Sequence, residues 1–163
     1  MNKILTIEKA IEISKKLKEQ GKTIVLVGGC FDILHIGHIK FLEEAKKKGD
    51  FLFVLLESDE KVKKLKGKGR PVNSQQDRAS ILTSLNQVDY VITLPSFKTN
   101  SRYKEMVIKI KPDIIATTRG DPCEKQKERQ AKLVKAKVIN VIKRVPDKST
   151  SRLAKLLSRK FYL

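Results

Sequence analysis

The chain has 163 residues, of which 36 are Lys or Arg and 18 are Asp or Glu, so its formal charge at neutral pH is +18. It is 40% hydrophobic and 33% charged, with 8 Gly and 5 Pro, which excludes a disordered or fibrous chain and indicates one globular domain. The longest apolar run, FLFVLL at 51–56, is far shorter than the roughly 18 residues that cross a bilayer, which excludes a membrane span.

The chain opens with apolar residues at helical spacing, which predicts an amphipathic helix over 6–20 that stops before Gly21. The β-branched run TIVLV at 23–27 precedes Gly28 and Gly29, and this pattern predicts a buried strand entering a tight turn. Beyond it, the periodicity predicts alternating elements: helices at 36–48, 74–85, 102–110 and 124–136, strands at 51–56, 88–94, 113–117 and 137–142, and a C-terminal helix at 149–160.

Short, nearly all-apolar strands that alternate with helices are typical of a parallel sheet covered on both faces. We therefore predict an α/β fold, with a doubly wound parallel sheet of about five strands, Rossmann-like, in a single domain over 1–163. Such folds bind ligands at the carboxyl ends of their strands. The basic stretch KKLKGKGRPVN at 63–73 contains two glycines and a proline, and it predicts a mobile loop.

Neither the N-terminus nor the cysteines indicate export, a disulfide framework or a metal site. Residues 1–20 lack the apolar core and cleavage site of a signal peptide and include acidic residues, so we expect a cytoplasmic protein. The two cysteines, Cys30 and Cys123, have no CxxC or His-pair spacing around them. We interpret both as free thiols.

The only two histidines, His35 and His38, lie in GGCFDILHIGHIKFLEEAK, between a predicted strand and the next helix. Glycines let the backbone approach a ligand, a helix N-terminus offers amides to an anion, and two imidazoles three residues apart can donate to phosphate oxygens. Histidines satisfied at a helix start, or metal ligands, are the alternatives, but no third ligand has suitable spacing. The GxGxxG fingerprint is absent. Together, the glycines, the helix start and the two histidines predict a phosphate-binding site.

The segment from Gly29 to His38 resembles the signature of the cytidylyltransferase-like nucleotidylyltransferase superfamily, whose HxGH is shared with class I aminoacyl-tRNA synthetases. A synthetase needs a much longer chain. Within the superfamily, the chain is most similar to the adenylyltransferases that make ADP-heptose from heptose 1-phosphate and ATP, through ILTIEKA, GKTIV, GCFDILHIGHIKFLEEAKKKGD, SDEKVKKLKGKGRPVN, DRASILTSLNQVDYV and KPDII. The resemblance implies transfer of a nucleoside monophosphate to a phosphorylated acceptor, release of pyrophosphate, a divalent ion such as Mg²⁺, and a homodimer.

The resemblance also implies roles for individual residues. His35, His38 and Lys46 would act on the phosphates, although Lys46 lies about 12 Å of helix rise beyond His38. Asp32 would orient the turn or hold magnesium. The remaining nucleotide-binding candidates are Gly29, Cys30, Phe31, Asp32, Gly37, Arg119, Asp121, Arg144, Ser149, Thr150 and Ser151, and the acceptor-binding candidates are Lys66, Arg70 and Arg78. Arg78 has a second interpretation, as a surface partner of Asp77.

Three departures from the heptose enzymes keep other substrates open. Gly28 stands where those enzymes usually have Asn, 119–122 reads RGDP in place of GGDY, and 147–148 reads DK before the Ser-Thr pair. CTP with a polyol phosphate such as glycerol 3-phosphate, or ATP with flavin mononucleotide, are therefore alternatives. A nucleic-acid-binding protein on the same fold is another, but the chain has no Trp and only 6% aromatic residues with which to stack bases.

Overall fold

The computed structural model describes residues 2–143. Its strands are β1 Ile4–Leu5, β2 Ile24–Gly29, β3 Phe51–Leu56, β4 Tyr90–Thr93, β5 Ile114–Arg119 and β6 Lys137–Lys143. Its helices are α1 Ile7–Glu19, α2 Ile36–Lys46, α3 Asp59–Lys66, α4 Gln75–Thr83, α5 Asn100–Ile110 and α6 Glu124–Val134. The predictions for Arg144, for 149–151 and for a helix at 149–160 fall outside the described residues.

Within residues 2–143, the strands form one six-stranded sheet in the order β1-β4-β3-β2-β5-β6, and every neighbouring pair is parallel. The chain builds outward from β2 through β3 to β4, and then crosses back to place β5 on the other side of β2. This reversal makes the gap between β2 and β5 the switch point, where doubly wound folds bind ligands. The predicted fold class is confirmed, and the extra strand β1 is too short to be seen in the sequence pattern.

Apolar side chains cover both faces of the sheet because successive strand residues point to opposite sides. Leu26 and Phe53 pack in one core cluster with α1, α5 and α6, whose buried residues include Ala10, Leu17, Met106, Val107, Ile110, Ala131 and Val134. Val25 and Val54 pack in the other cluster with α2 and α4, through Phe41, Leu42, Ala45, Ala79 and Leu82. Among residues 2–143, no helix has the length and apolarity to cross a bilayer.

The amino ends of the strands are fixed by three aspartates that each precede a strand. Asp50, Asp89 and Asp113 accept hydrogen bonds from backbone amides at or just before the start of the neighbouring strands, at 2.8 Å from Thr23, 2.7 Å from Leu52 and 2.9 Å from Ile24. Their carboxylates satisfy amides that the ladders leave unpaired at the sheet edge. These bonds therefore stabilise the amino edge of the sheet.

The predicted elements agree with the observed ones to within two residues at each end, except near 63–73. Residues 63–66 belong to α3, so the loop predicted there is wrong for those four positions. The helix forms because Ser58 caps it, its first turn is acidic and its last turn is basic, which complements the helix dipole. Gly67, at φ 94°, ends it, and a loop covers 67–73. The mobility of that loop stays a prediction.

Candidate active site

The turn after β2 is shaped by a phenylalanine in an unusual backbone conformation. Phe31 has φ 44°, a left-handed value that is unfavourable for a bulky residue, and its ring is only 5% exposed. A Cβ at Gly29 would lie 2.9 Å from that ring, so this position requires glycine. The ring centroid of Phe31 is 5.3 Å from that of His38. Burial of the phenylalanine therefore holds the turn and one wall of the histidine site together.

The two histidines stand at the N-terminus of α2, at the switch point. His35 is the N-cap residue, and its Nδ1 accepts a hydrogen bond from the amide of Gly37 at 3.1 Å. This bond makes Nε2 the protonated nitrogen of the neutral ring. The ring stacks on His38 with 3.8 Å between centroids and 23° between planes. The capping bond thus fixes the orientation of the pair, and it makes His35 a helix-start histidine, which the sequence supported only as an alternative.

His38 is kept neutral by its surroundings. Burial, followed by the neighbouring His35 and the positive charge of Lys66, lowers its pKa to about 4. Its Nδ1 is buried and has no hydrogen-bond partner among residues 2–143. A polyanion at the ring would reverse the electrostatic balance, because a nearby negative charge favours the imidazolium.

We expect His38 to titrate with a pKa of about 4 in the free protein and with a higher pKa when ATP is bound. NMR titration of the histidine C–H resonances with and without ATP measures both values, and His35→Gln assigns the signals. The pKa of His38 in the folded protein lies below its ordinary value of 6.5. Between about pH 4 and pH 6.5, the unfolded chain therefore binds more protons than the folded protein does. The contribution of His38 to stability is therefore full above pH 6.5 and decreases as the pH falls towards 4. A pKa for His38 near 6.5 without ATP would contradict this description.

Asp32 is a structural carboxylate. It is 2% exposed, its Oδ2 accepts from Arg70 Nε, and its Oδ1 accepts from the amides of Val72 and Asn73 at 2.8 and 3.1 Å. Both oxygens are occupied by donors, so the prediction that Asp32 holds magnesium is wrong, and its predicted role in orienting backbone is supported. Within residues 2–143, no group of three or more His, Cys, Asp or Glu side chains fits a metal ion.

Arg78 is buried among three loops around the histidines, and its hydrogen bonds connect them. It is 1% exposed, which contradicts the prediction of a surface partner for Asp77 and a direct contact with the acceptor. Its guanidinium donates to the carbonyls of Cys30, Glu57 and Asn73, and it pairs with Asp59 at 2.6 Å. Since these carbonyls follow β2, follow β3 and precede α4, Arg78 fixes the loops around the histidines relative to one another.

Lys46 lies at the amino edge of the sheet, whereas the histidines lie at the carboxyl edge. Its predicted contact with nucleotide phosphate is therefore wrong. Its Nζ bonds the carboxylate of Asp89 at 2.7 Å and also donates to the carbonyl of Asp50, both at the amino ends of strands. Helix α2 runs away from the carboxyl edge, and the helix rise carries Lys46 to the far side.

The two remaining acceptor-binding candidates differ in their surroundings. Lys66 is exposed at the end of α3, and its charge acts on both His38 and Cys30. Arg70 is largely buried against Asp32. The structure thus places one open cation beside the histidines and one cation that anchors a loop. Binding of an acceptor by either residue stays a prediction.

The carboxyl end of β5 lies across the switch point. Lys127 bonds both Thr117 and Asp121, at 3.0 and 2.8 Å, and Thr117 donates to Asp121 at 3.1 Å. Burial alone would raise the pKa of Asp121, but the Lys127 ammonium and the other hydrogen bonds outweigh it and lower that pKa. Arg119 is exposed and lines a surface pocket with 140–143. Arg119 is thus open to a ligand, whereas Asp121 is already satisfied.

Sequence reasoning missed a polar pair at the carboxyl end of β3. The hydroxyl of Tyr103 donates to Glu57 Oε2 at 2.7 Å. Burial raises the pKa of Glu57, although Tyr103 and the charges of Lys61 and Arg78 act in the opposite direction. Burial and the adjacent Glu57 raise the pKa of Tyr103 as well. The position of Glu57 directly after a buried strand was the available signal, whereas nothing local singles out Tyr103.

Comparison with known proteins agrees with this geometry. A family model described as Cytidylyltransferase-like matches residues 26–155. Three proteins named Bifunctional protein HldE are similar: one from Aliarcobacter butzleri is 49% identical over 69% of this chain, one from Nitratiruptor sp. is 52% identical over 63%, and one from Wolinella succinogenes is 39% identical over 94%. This chain spans only 23%, 21% and 31% of those relatives.

Two solved structures share the fold. A lipopolysaccharide core biosynthesis protein from Thermoplasma volcanium superposes with a TM-score of 0.61 at 30% identity, over 77% of this chain and 98% of that one. A pantoate-beta-alanine ligase from Francisella tularensis gives a TM-score of 0.62 at 19% identity, over 93% of this chain and 72% of that one. The second likeness concerns the fold alone.

Proposed function

Because the chain belongs to the cytidylyltransferase-like family, we propose that it is a nucleotidylyltransferase that transfers AMP from ATP to heptose 1-phosphate. The products are ADP-heptose and pyrophosphate. The observation that carries the proposal is the stacked pair His35 and His38, oriented by the amide of Gly37 at a helix N-terminus on the switch point. The choice of heptose rests on the sequence resemblance to heptose adenylyltransferases and on the relatives named HldE.

The reaction needs anion binding more than proton transfer. A phosphate oxygen of the acceptor forms a bond to the α-phosphorus of ATP, and the bond from that phosphorus to the leaving pyrophosphate breaks in line with it. The nucleophile is already ionised at neutral pH, so no general base is required. Catalysis then consists of holding two anions together and stabilising the charge of the transition state.

The described side chains supply this stabilisation from one side of the phosphate chain. His35 and His38 donate from Nε2 to phosphate oxygens, since Nδ1 of His35 is engaged and Nδ1 of His38 is buried. Lys66 adds a positive charge beside them. Magnesium neutralises phosphate charge when it is bound, and we propose that it arrives with ATP, since Asp32 does not fit it. A homodimer stays part of the proposal, and light scattering during size-exclusion chromatography tests it.

A pyrophosphate-release assay with magnesium distinguishes the substrate alternatives. We expect release with ATP and heptose 1-phosphate, and at least about tenfold slower release when CTP replaces ATP, because a site that pairs with one base leaves polar groups unpaired with another. Glycerol 3-phosphate with CTP, and flavin mononucleotide with ATP, are the other pairs in the panel. Faster release with either pair would keep the reaction class and replace the substrates. No release with any pair would contradict the proposal.

A further inference from the structure

The carboxylate of Glu57 lies at the rim of the site and is not used by the phosphate chemistry described above. The residue follows the last residue of β3, and its amide donates to the carbonyl of Gly29 at 3.2 Å. This bond attaches Glu57 to the turn that leads to the histidines. Among residues 2–143, the hydroxyl of Tyr103 is the only donor that bonds its carboxylate, through Oε2. The other oxygen is left for a ligand.

Tyr103 is held in place by its own contacts. Its ring packs edge-on against Phe97, with 4.9 Å between centroids and an angle of 81°, and Lys61 Nζ lies 5.6 Å from its centroid. The tyrosine therefore presents its hydroxyl to Glu57 from a fixed position on α5, and the carboxylate is oriented before a ligand binds.

Space for a ligand lies beside Glu57, on the same side of the sheet. Gly28 pairs with Leu55 across β2 and β3, and a Cβ at Gly28 would meet only Leu55, at 3.7 to 3.9 Å. Leu26 and Leu55 both pack in the cluster that contains α5, and Gly28 and Glu57 each follow by two residues, so they face the same side. Since Gly28 carries no side chain and is exposed, the face of β2 on the same side of the sheet as Glu57 is open to a ligand.

We propose that Glu57, oriented by Tyr103, binds hydroxyl groups of the acceptor and so selects a phosphorylated acceptor that is rich in hydroxyls. This inference rests on the proposed transferase function. A carboxylate accepts hydrogen bonds from hydroxyls but repels phosphate, so Glu57 faces the carbon skeleton of the acceptor, away from its phosphate. Glu57 also follows β3, on the side of β2 away from the β2–β5 gap. The acceptor is therefore its partner, and the nucleotide occupies the gap.

Steady-state kinetics with ATP and heptose 1-phosphate tests the assignment. We expect Glu57→Ala to raise the KM for heptose 1-phosphate by about tenfold or more, as for loss of a hydrogen bond to a charged group, and to leave the KM for ATP within about twofold. Glu57→Gln, which keeps the shape and one acceptor oxygen, falls between Glu57→Ala and the wild type. Glu60→Gln, on an exposed residue of α3, is the matched control and should behave as the wild type.

Monodeoxy analogues of heptose 1-phosphate identify the contact. For one analogue, the wild-type kcat/KM should fall by the same factor as the kcat/KM of Glu57→Ala falls with heptose 1-phosphate itself. Glu57→Ala should then show the same kcat/KM for that analogue and for heptose 1-phosphate. A rise in the KM for ATP would overturn the inference, because the contact would then be to the nucleotide ribose. A fall in kcat with both KM values unchanged would overturn it too.

Direct binding separates this inference from the proposed function. Calorimetry of heptose 1-phosphate with the protein and a non-hydrolysable ATP analogue needs no turnover. If the wild type binds the sugar phosphate, Glu57→Ala binds it about tenfold less tightly, and no pyrophosphate is released, the inference holds and the proposed reaction fails. If equal affinities are found for the wild type and Glu57→Ala, or no binding to either, the inference is overturned, whatever the turnover. Thermal melting shows whether each variant is folded.

Discussion

His38→Asn is expected to lower kcat for pyrophosphate release by about a hundredfold to a thousandfold, the usual effect of removing one donor to a transition-state oxyanion. The imidazole is fixed on both sides, by the stacked ring of His35 and by Phe31. Asparagine is shorter and cannot place a donor where Nε2 stands. Binding of ATP should weaken less than kcat falls, because other phosphate contacts remain.

Lys40→Ala is the matched control, since Lys40 is exposed on α2 two residues beyond His38 and so points to another side of the helix. Its kcat should equal that of the wild type. Calorimetry with ATP and thermal melting are measured for each variant. They distinguish a lower kcat from loss of folding or of ATP binding. A His38→Asn enzyme with more than about a third of the wild-type kcat would contradict the role of this imidazole as a transition-state donor.

Arg78→Met is expected to destabilise the fold by about 3 to 5 kcal/mol, because it leaves three loop carbonyls without their donor. The guanidinium serves Cys30, Glu57 and Asn73 at once and is fully buried, whereas its ionic partner Asp59 is partly exposed and can be solvated. Arg78→Lys should recover only part of the loss, since an ammonium cannot reproduce the planar fork.

Urea unfolding followed by circular dichroism measures this change. Arg102→Met removes an exposed arginine that forms one surface ion pair with Glu105, so its free energy of unfolding should stay within about 0.5 kcal/mol of the wild type. If Arg78→Met changed the free energy of unfolding by no more than that control, the buried network would not hold the loops. Activity should fall with Arg78→Met even under conditions where the protein is folded, because the loops carry the site.

Local pattern was enough to predict the main strands and the position of the two histidines at the start of a helix. Apolar runs such as 51–56 are long enough to register as buried strands, and His35 and His38 lie within one short motif that contains its own glycines and helix start. By contrast, β1 has two residues and owes its existence to pairing with β4, far along the chain. No local pattern can reveal a strand that depends on its partner in this way.

Long-range contacts account for the incorrect roles. Asp32 is satisfied by residues about forty positions away, and Arg78 reaches back to Cys30. Neither partner could be identified from nearby residues. The Lys46 prediction fails for a simpler reason, because helix rise alone places it about 12 Å from His38 along an axis that leads away from the carboxyl edge. This distance could be calculated from the sequence, and it is stronger evidence about Lys46 than the family resemblance is.

The most direct test of the proposed function is to identify the product by phosphorus NMR after incubating the protein with magnesium, ATP and heptose 1-phosphate. We expect the resonance of heptose 1-phosphate to disappear as the two coupled resonances of ADP-heptose and the signal of pyrophosphate appear in equal amounts. The His38→Asn variant should give a much slower reaction. Persistence of both substrates with folded protein that binds ATP, or appearance of ADP and inorganic phosphate in place of pyrophosphate, would contradict nucleotidylyl transfer to this acceptor.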